Sequence, residues 1–276
     1  MVDAALAAAE HLGSVLLFAA TLNQVDRDGG YTGWTPVEFA ARVARARATL
    51  GATVPVAICL DHGGPWLKDD HTRRRLTLEQ TLAEVEASVA ACLDAGYDLL
   101  HIDPTVDRAL PPGVPPPLHV VVSRTVDLLA SAERYRRRCG LPPVAYEVGT
   151  EEVHGGIADP DSFAEFLTAL RCALGRAHLG EAWPYFVVGN VGTDLHTSVF
   201  RADTAARLAR IAADRACYVK GHYTDSVTNP EDYPIAGMGG GERRPRAHRG
   251  GVRRTHRAGE AGGRVRAARV GHWRGA

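Results

Sequence analysis

The chain repeats one pattern of apolar and polar positions. A short apolar run, rich in β-branched residues, is followed by a polar or glycine-rich loop and then by an amphipathic helix, with a period of roughly 40 residues. The runs are almost continuously apolar, which is typical of parallel strands that are buried on both faces. The pattern predicts six strands, at residues 14–24, 55–62, 98–104, 143–150, 184–191 and 217–223.

Helix start and stop signals lie between these runs. Thr35 with Glu38, and Thr77 with Gln80, are typical capping boxes. Glycines suited to helix C-termini stand at Gly51, Gly96 and Gly140. Repeated βα units of this kind fit either a barrel or an open doubly wound sheet.

The polar residues that end the runs favour the barrel. In a doubly wound sheet only the strands near the switch point need polar ends, whereas all barrel strands converge on one mouth. All six runs end in polar side chains: Asn23 and Gln24, Asp61 and His62, His101 and Asp103, Glu147, Asn190, and His222 and Asp225. We therefore predict an α/β fold of the (β/α)8 TIM-barrel type.

The composition indicates a soluble globular domain. The 276 residues are 45% hydrophobic and 23% charged, enough for one large domain. Apolar stretches are strand-length, shorter than the roughly 20 residues of a spanning helix, and the Ala-rich N-terminus is not a signal peptide. The five cysteines are widely spaced without a CxxC pair, which indicates reduced residues in a cytoplasmic protein.

Charge divides the chain near residue 240. Residues 241–276 contain eleven arginines and two glutamates, a net charge of +9, so residues 1–240 of this neutral chain carry −9. An arginine-rich arm is one interpretation, because such segments bind RNA. We favour translation of a GC-rich gene in a shifted frame, because the segment lacks the apolar run of a core strand. We therefore predict a barrel domain at 1–240, a non-native Arg/Gly-rich tail at 241–276, and no nucleic-acid partner.

Three strand ends carry residues suited to a metal site. His62 can offer a ring nitrogen and Asp61 can exchange a proton, although Asp-His before two glycines is also a common loop start. Glu147 lies in an apolar strand, where a carboxylate is costly unless it binds a metal or forms an ion pair. His222 is either a ligand or a hydrogen-bonded wall residue. Two histidines and a glutamate at one mouth suit Zn²⁺ or Mn²⁺ with open positions for a ketose.

Several motifs also carry a family resemblance. They are, in order, Thr21-Leu22-Asn23-Gln24, Gly29-Gly30-Tyr31-Thr32-Gly33, Asp61-His62-Gly63-Gly64-Pro65, His101-Ile102-Asp103, Gly149-Thr150-Glu151, and the residues from His222 to Asp225. They resemble the tagatose-bisphosphate aldolase accessory (Z-type, non-catalytic) subunit family of the class II aldolase superfamily, over roughly residues 5–240. Against the family pattern, the first barrel strand is expected to be missing before Val2, and the tail replaces the eighth.

The resemblance implies roles for individual residues. It implies Asp61 as the proton-transfer residue and His62, Glu147 and His222 as ligands of a divalent metal, Zn²⁺ or Mn²⁺. The residues expected to bind substrate are Asn23, Gln24, Tyr31, Asp103, Asn190 and Asp225.

Two departures from catalytic class II aldolases bear on activity. Those enzymes have Asn-Val-His-Gly where this chain has Asn190-Val191-Gly192-Thr193, and no Gly-Gly-Ser-Gly follows His222. Both favour a non-catalytic aldolase subunit in tagatose- or galactitol-type ketose-phosphate metabolism. The alternative is a metal-dependent C4 epimerase of a ketose or ketose phosphate. We expect a sugar phosphate or ketose substrate, a catalytic aldolase subunit as partner, an oligomer and no membrane association.

Overall fold

Seven parallel strands form one curved sheet in chain order. The computed structural model describes residues 1–111, 114–149, 159–193, 199–224 and 227–241. The strands are β1 Leu16–Thr21, β2 Val56–Gly63, β3 Leu99–Ile102, β4 Ala145–Val148, β5 Phe186–Val188, β6 Tyr218–Gly221 and β7 Gly240–Gly241. Parallel neighbours in chain order are the winding of a (β/α) barrel, so the predicted fold is confirmed as a TIM-type barrel that lacks strands.

The six predicted strands coincide with β1 to β6 within a few residues. The seventh, β7, was not predicted, since its two glycines offer no apolar pattern. It pairs with β6 through Lys220 and Gly221. Within the described residues, β1 and β7 are the two edges of the sheet. The predicted tail lies, apart from Gly241, outside the described residues, so the interpretation of that segment stays a prediction.

Eight helices are described, and the start and stop signals read from the sequence lie at the ends of α2, α4 and α5. Their bounds are α1 Val2–Leu12, α2 Pro36–Leu50, α3 Asp69–Arg73, α4 Leu78–Asp94, α5 Leu118–Arg138, α6 Pro160–Arg176, α7 Ala202–Ala213 and α8 Asp232–Ile235. Both predicted capping boxes form, at Thr35 and Thr77. Gly51 ends α2 in the left-handed conformation that glycine adopts at little cost. In the described part of the chain, no helix is both long and apolar enough to cross a bilayer.

Side chains along the strands point alternately outward and inward, and they form two separate hydrophobic clusters. Outward residues such as Leu60, Leu100 and Val219 belong to the main core, which includes the buried faces of the helices. Inward residues form a second cluster of Cys59, Leu99 and Phe186. Because strand side chains alternate with a period of two, the next inward positions on β2 and β3 are Asp61 and His101. The polar site therefore lies on an apolar floor inside the barrel.

Gly64 sits where the backbone after β2 meets β3. A Cβ added there would lie 1.6 Å from the carbonyl oxygen of Asp103. We expect Gly64→Ala to lower the free energy of unfolding by more than about 3 kcal/mol, because a backbone atom cannot yield as a side chain does. Gly175, inside α6, has no atom within 4 Å of an added Cβ.

Gly175→Ala is the matched control, and it should stabilise the protein by about 0.5–1 kcal/mol through helix propensity. Thermal or urea unfolding measures both variants. Equal stability of Gly64→Ala and the wild type would show that the backbones at Gly64 and Asp103 are not in close contact.

Candidate metal and substrate site

The carboxyl ends of four strands bring seven polar side chains together. β2 supplies Asp61 and His62, β3 and the residue after it supply His101 and Asp103, β4 supplies Glu147, and β6 and its end supply Lys220 and His222. All are buried except His62, which is partly exposed. So many buried polar groups destabilise a folded protein unless they form hydrogen bonds with each other or bind a ligand.

Three imidazole rings lie at the centre. The ring centroids of His62 and His101 are 4.8 Å apart, those of His62 and His222 5.1 Å, and those of His101 and His222 5.3 Å. Three histidines from three strands are therefore in mutual contact, although His62 and His222 are 160 residues apart in the chain.

Two groups of donor atoms are close enough to hold an ion. One group is Asp61, His62 and His101, and the other is His101, Glu147 and His222. Within each group one donor atom per residue lies within 4.8 Å of the others. The predicted ligands His62, Glu147 and His222 are thus all in the cluster, but His62 falls in one group and the other two fall in the second. His101 is common to both.

Acceptor atoms converge on Nδ1 of His101. Nδ1 lies 3.2 Å from Oδ1 of Asp61, 3.9 Å from Oε1 of Glu147 and 3.2 Å from the backbone nitrogen of His62. The other ring nitrogen, Nε2, is buried without a hydrogen-bond partner in the described structure. A Cβ on Gly149 would lie 2.6 Å from Nε2, so that side of the ring packs closely against the residue that follows β4. Nδ1 is therefore the nitrogen that faces the carboxylates.

Glu147 divides its two oxygens between different partners. Oε2 accepts a 2.7 Å bond from Nζ of Lys220, while Oε1 lies 3.0 Å from Nε2 of His222. Thr193 donates to the backbone carbonyl of His222 at 2.7 Å and so supports the loop after β6. Glu147 is inaccessible to solvent.

His62 is oriented by Asp103. Nδ1 of His62 lies 2.8 Å from Oδ2 of Asp103, and Oδ1 of Asp103 accepts bonds from the backbone N–H and the hydroxyl of Thr105. His62 has a φ of 51°, which a non-glycine residue adopts at a cost. A carboxylate on one imidazole nitrogen is the usual support of a histidine that binds a metal through the other.

Both central carboxylates remain ionised at neutral pH. Burial raises the pKa of Asp61, but the charge of His62, the hydrogen bond with His101 and the charge of His222 together hold it well below its usual range. Burial also raises the pKa of Glu147, but the charge of Lys220 and the neighbouring histidines leave it below the ordinary value. Each carboxylate therefore stabilises the folded state at pH values above its ordinary pKa. This contribution is lost as the pH falls through the lowered pKa of the folded state.

The residues expected to bind substrate occupy different positions. Asp103 lies inside the cluster. Asn23 bonds the backbone of Leu67 and Asp69, at 3.3 and 2.9 Å, and so ties the loops after β1 and β2 together. The amide oxygen of Gln24 accepts from the backbone of Thr21 at 2.8 Å.

The other three differ again. Asn190, just past β5, accepts from the backbone N–H of Gly192 at 2.8 Å. Tyr31 is 73% exposed, and its backbone N–H donates to the carbonyl of Asn23. Asp225 lies outside the described residues. Direct substrate contact by these residues stays a prediction.

Sequence reasoning did not assign two residues of the cluster. His101 was noted as a polar strand end but not as a ligand, although it stands directly opposite Glu147 in the register of β3 and β4. Lys220 was not singled out, although a lysine between Val219 and Gly221 in a strand buried on both faces requires a partner. In both cases the signal was a polar residue in an apolar run.

The sequence matches the family described as "D-tagatose-1,6-bisphosphate aldolase subunit GatZ/KbaZ-like" over residues 1–225. That match covers most of the chain and includes the whole donor cluster. The chain belongs to this family. The resemblance inferred from the motifs is thereby confirmed.

The chain is also similar to two proteins named for their action on tagatose phosphates. D-tagatose 6-phosphate 4-epimerase from Agrobacterium fabrum (strain C58) is 36% identical over 149 residues, which are 53% of this chain and 33% of the epimerase. A probable tagatose 6 phosphate kinase from Sinorhizobium meliloti 1021 matches 87% of this chain and 60% of its own, with a TM-score of 0.71 and 24% identity, which shows the fold alone. The matches thus span a third and three fifths of these relatives' lengths.

Proposed function

We propose that this chain is a divalent-metal component of a tagatose-bisphosphate aldolase-type enzyme that acts on ketose phosphates. The family membership supports the substrate class. The observation that carries the metal is the convergence of Nδ1 of His101 with carboxylate oxygens of Asp61 and Glu147. Two ionised carboxylates repel one another unless a proton or a cation lies between them, and one divalent ion can serve both carboxylates and the ring nitrogen at the same time.

The chemistry of the donors fits Zn²⁺ or Mn²⁺. Imidazole nitrogens with a carboxylate oxygen are ligands that both ions accept, and a site with three protein ligands leaves positions for substrate. His101, Glu147 and His222 would hold the ion. His62 is proposed as a further donor, since Asp103 already orients its ring.

The charge of the buried cluster calls for a divalent ion. Asp61, Asp103 and Glu147 are three buried carboxylates, whereas Lys220 is the one ammonium group among the seven clustered residues. Neutral imidazole is the form that binds metals. With neutral histidines the cluster therefore carries a net charge of −2, which one divalent cation neutralises.

Asp61 would act as the proton acceptor. Cleavage between C3 and C4 of a ketose needs removal of the C4 hydroxyl proton, while the electron pair of the breaking bond moves toward the C2 carbonyl. Asp61 is ionised at neutral pH, belongs to the group with His62 and His101, and adjoins the group of His101, Glu147 and His222. The ion would supply the positive charge that stabilises the negative charge developing on the ketose oxygens.

A second candidate is C4 epimerisation. The relative that is 36% identical is called a D-tagatose 6-phosphate 4-epimerase. Epimerisation can use the same proton acceptor, since cleavage and re-formation of the C3–C4 bond inverts C4. Gly192, where catalytic aldolases have histidine, favours an accessory role in aldol cleavage instead.

One assay separates these roles. The purified chain with Mn²⁺ or Zn²⁺ is incubated with D-tagatose 1,6-bisphosphate, alone and with a catalytic class II aldolase subunit, and separately with D-tagatose 6-phosphate. We expect release of triose phosphates that increases when both subunits are present. Conversion of the monophosphate at C4 without triose release would establish the epimerase. No turnover and no effect on the partner would contradict both.

A further inference from the structure

Lys220 is the lysine among the buried polar residues of the proposed metal site. Its Nζ lies 2.7 Å from Oε2 of Glu147, and its side chain is 7% exposed. We propose that Lys220 is an internal counter-ion: it holds the site assembled when no metal is bound and limits the remaining charge to what one divalent ion neutralises. This inference rests on the proposed metal site.

The geometry gives Lys220 control over how Glu147 can bind an ion. One carboxylate oxygen is taken by the ammonium group, so Oε1 alone faces the imidazoles of His222, at 3.0 Å, and His101, at 3.9 Å. Glu147 is thereby set to ligate through a single oxygen. Lys220 is a positioning residue in this account, because it acts through Glu147.

The net charge of the cluster also supports Lys220 as a counter-ion. Without Lys220 the carboxylates of Asp61, Asp103 and Glu147, all buried, would leave a charge of −3 in the site. Like charges at such distances destabilise a folded protein strongly when burial weakens screening. An ion bound to the Lys220-deficient site would remove most of that repulsion. Loss of Lys220 should therefore make folding depend on metal.

The chain contains a matched control, since Lys68 is its other lysine. Like Lys220, Lys68 pairs with carboxylates: its Nζ donates to Asp26 at 2.6 Å and to Asp28 at 2.7 Å. Its side chain is 12% exposed. It joins the loops after β1 and β2, and it belongs to neither donor group. Its removal also breaks a largely buried ion pair, but no metal should compensate.

The test compares melting temperatures of the wild type, Lys220→Met and Lys68→Met in EDTA and in excess Mn²⁺ or Zn²⁺. In EDTA we expect Lys220→Met to melt about 10 °C below the wild type. In metal the difference should fall to less than half, because the more acidic site gains more from the ion. The loss for Lys68→Met should be the same in both conditions.

A second variant covers the case in which Lys220→Met does not fold. Lys220→Met combined with Glu147→Gln removes both charges, so its metal-free melting temperature should return toward the wild-type value. Its melting temperature should rise less with metal than that of the wild type, because a ligand is lost. A double variant no more stable in EDTA than Lys220→Met alone would overturn the counter-ion role.

The outcomes separate the two proposals. A wild type whose melting temperature does not rise with either metal would contradict the metal site itself. A wild type that is stabilised by metal, with equal losses for Lys220→Met in EDTA and in metal, would overturn the inference about Lys220 and leave the metal site standing.

Discussion

Replacing Asp61 with asparagine is expected to lower turnover by about 10²- to 10⁴-fold, in whichever assay shows the wild-type activity. The amide keeps the shape of the side chain but cannot accept the C4 hydroxyl proton. Metal affinity should change much less than turnover, because the group of His101, Glu147 and His222 is left intact.

The control for this prediction is Asp127→Asn on the exposed face of α5, which should leave kcat unchanged. Both variants are assayed with metal bound, so that loss of the ion is not mistaken for loss of the proton acceptor. An Asp61→Asn variant that keeps more than half of the wild-type kcat would show that another group takes the proton.

Replacing His101 with glutamine is expected to weaken binding of Mn²⁺ or Zn²⁺ by at least about 100-fold, since loss of a ligand should exceed the 10- to 100-fold effect of losing an outer-shell partner. His101 is the residue shared by both donor groups, whereas His62 belongs to one. The loss should therefore be larger for His101→Gln than for His62→Gln. Isothermal titration measures both affinities.

His119→Gln, on an exposed position of α5, is the control and should bind metal as the wild type does. Circular dichroism before titration shows whether each variant is folded. Equal affinities for His101→Gln and the wild type would remove His101 from the ligand set and return the role to His62, as the sequence motifs implied.

The fold could largely be predicted because its signals are local. Apolar runs, capping boxes and C-terminal glycines each act within a few residues, and they placed β1 to β6 and the main helices. The strand β7 was not predicted because Gly240 and Gly241 offer no pattern of apolar side chains. Its position comes from hydrogen bonds to β6, which only the folded sheet supplies.

The site could be predicted only in part, for a different reason. Asp61, His62, Glu147 and His222 stand out as polar residues at strand ends. Their pairing depends on strand register and on the turn of the backbone, neither of which can be read from the sequence. The positive φ of His62 and its bond to Asp103 are examples.

The metal content of the purified wild-type chain tests the proposed metal site directly. After loading with Mn²⁺ or Zn²⁺ and removal of excess ion, inductively coupled plasma mass spectrometry counts ions per chain. We expect one ion per chain in the wild type and well under half an ion in His101→Gln and His222→Gln. A folded wild type that retains no stoichiometric ion would contradict the proposed metal site.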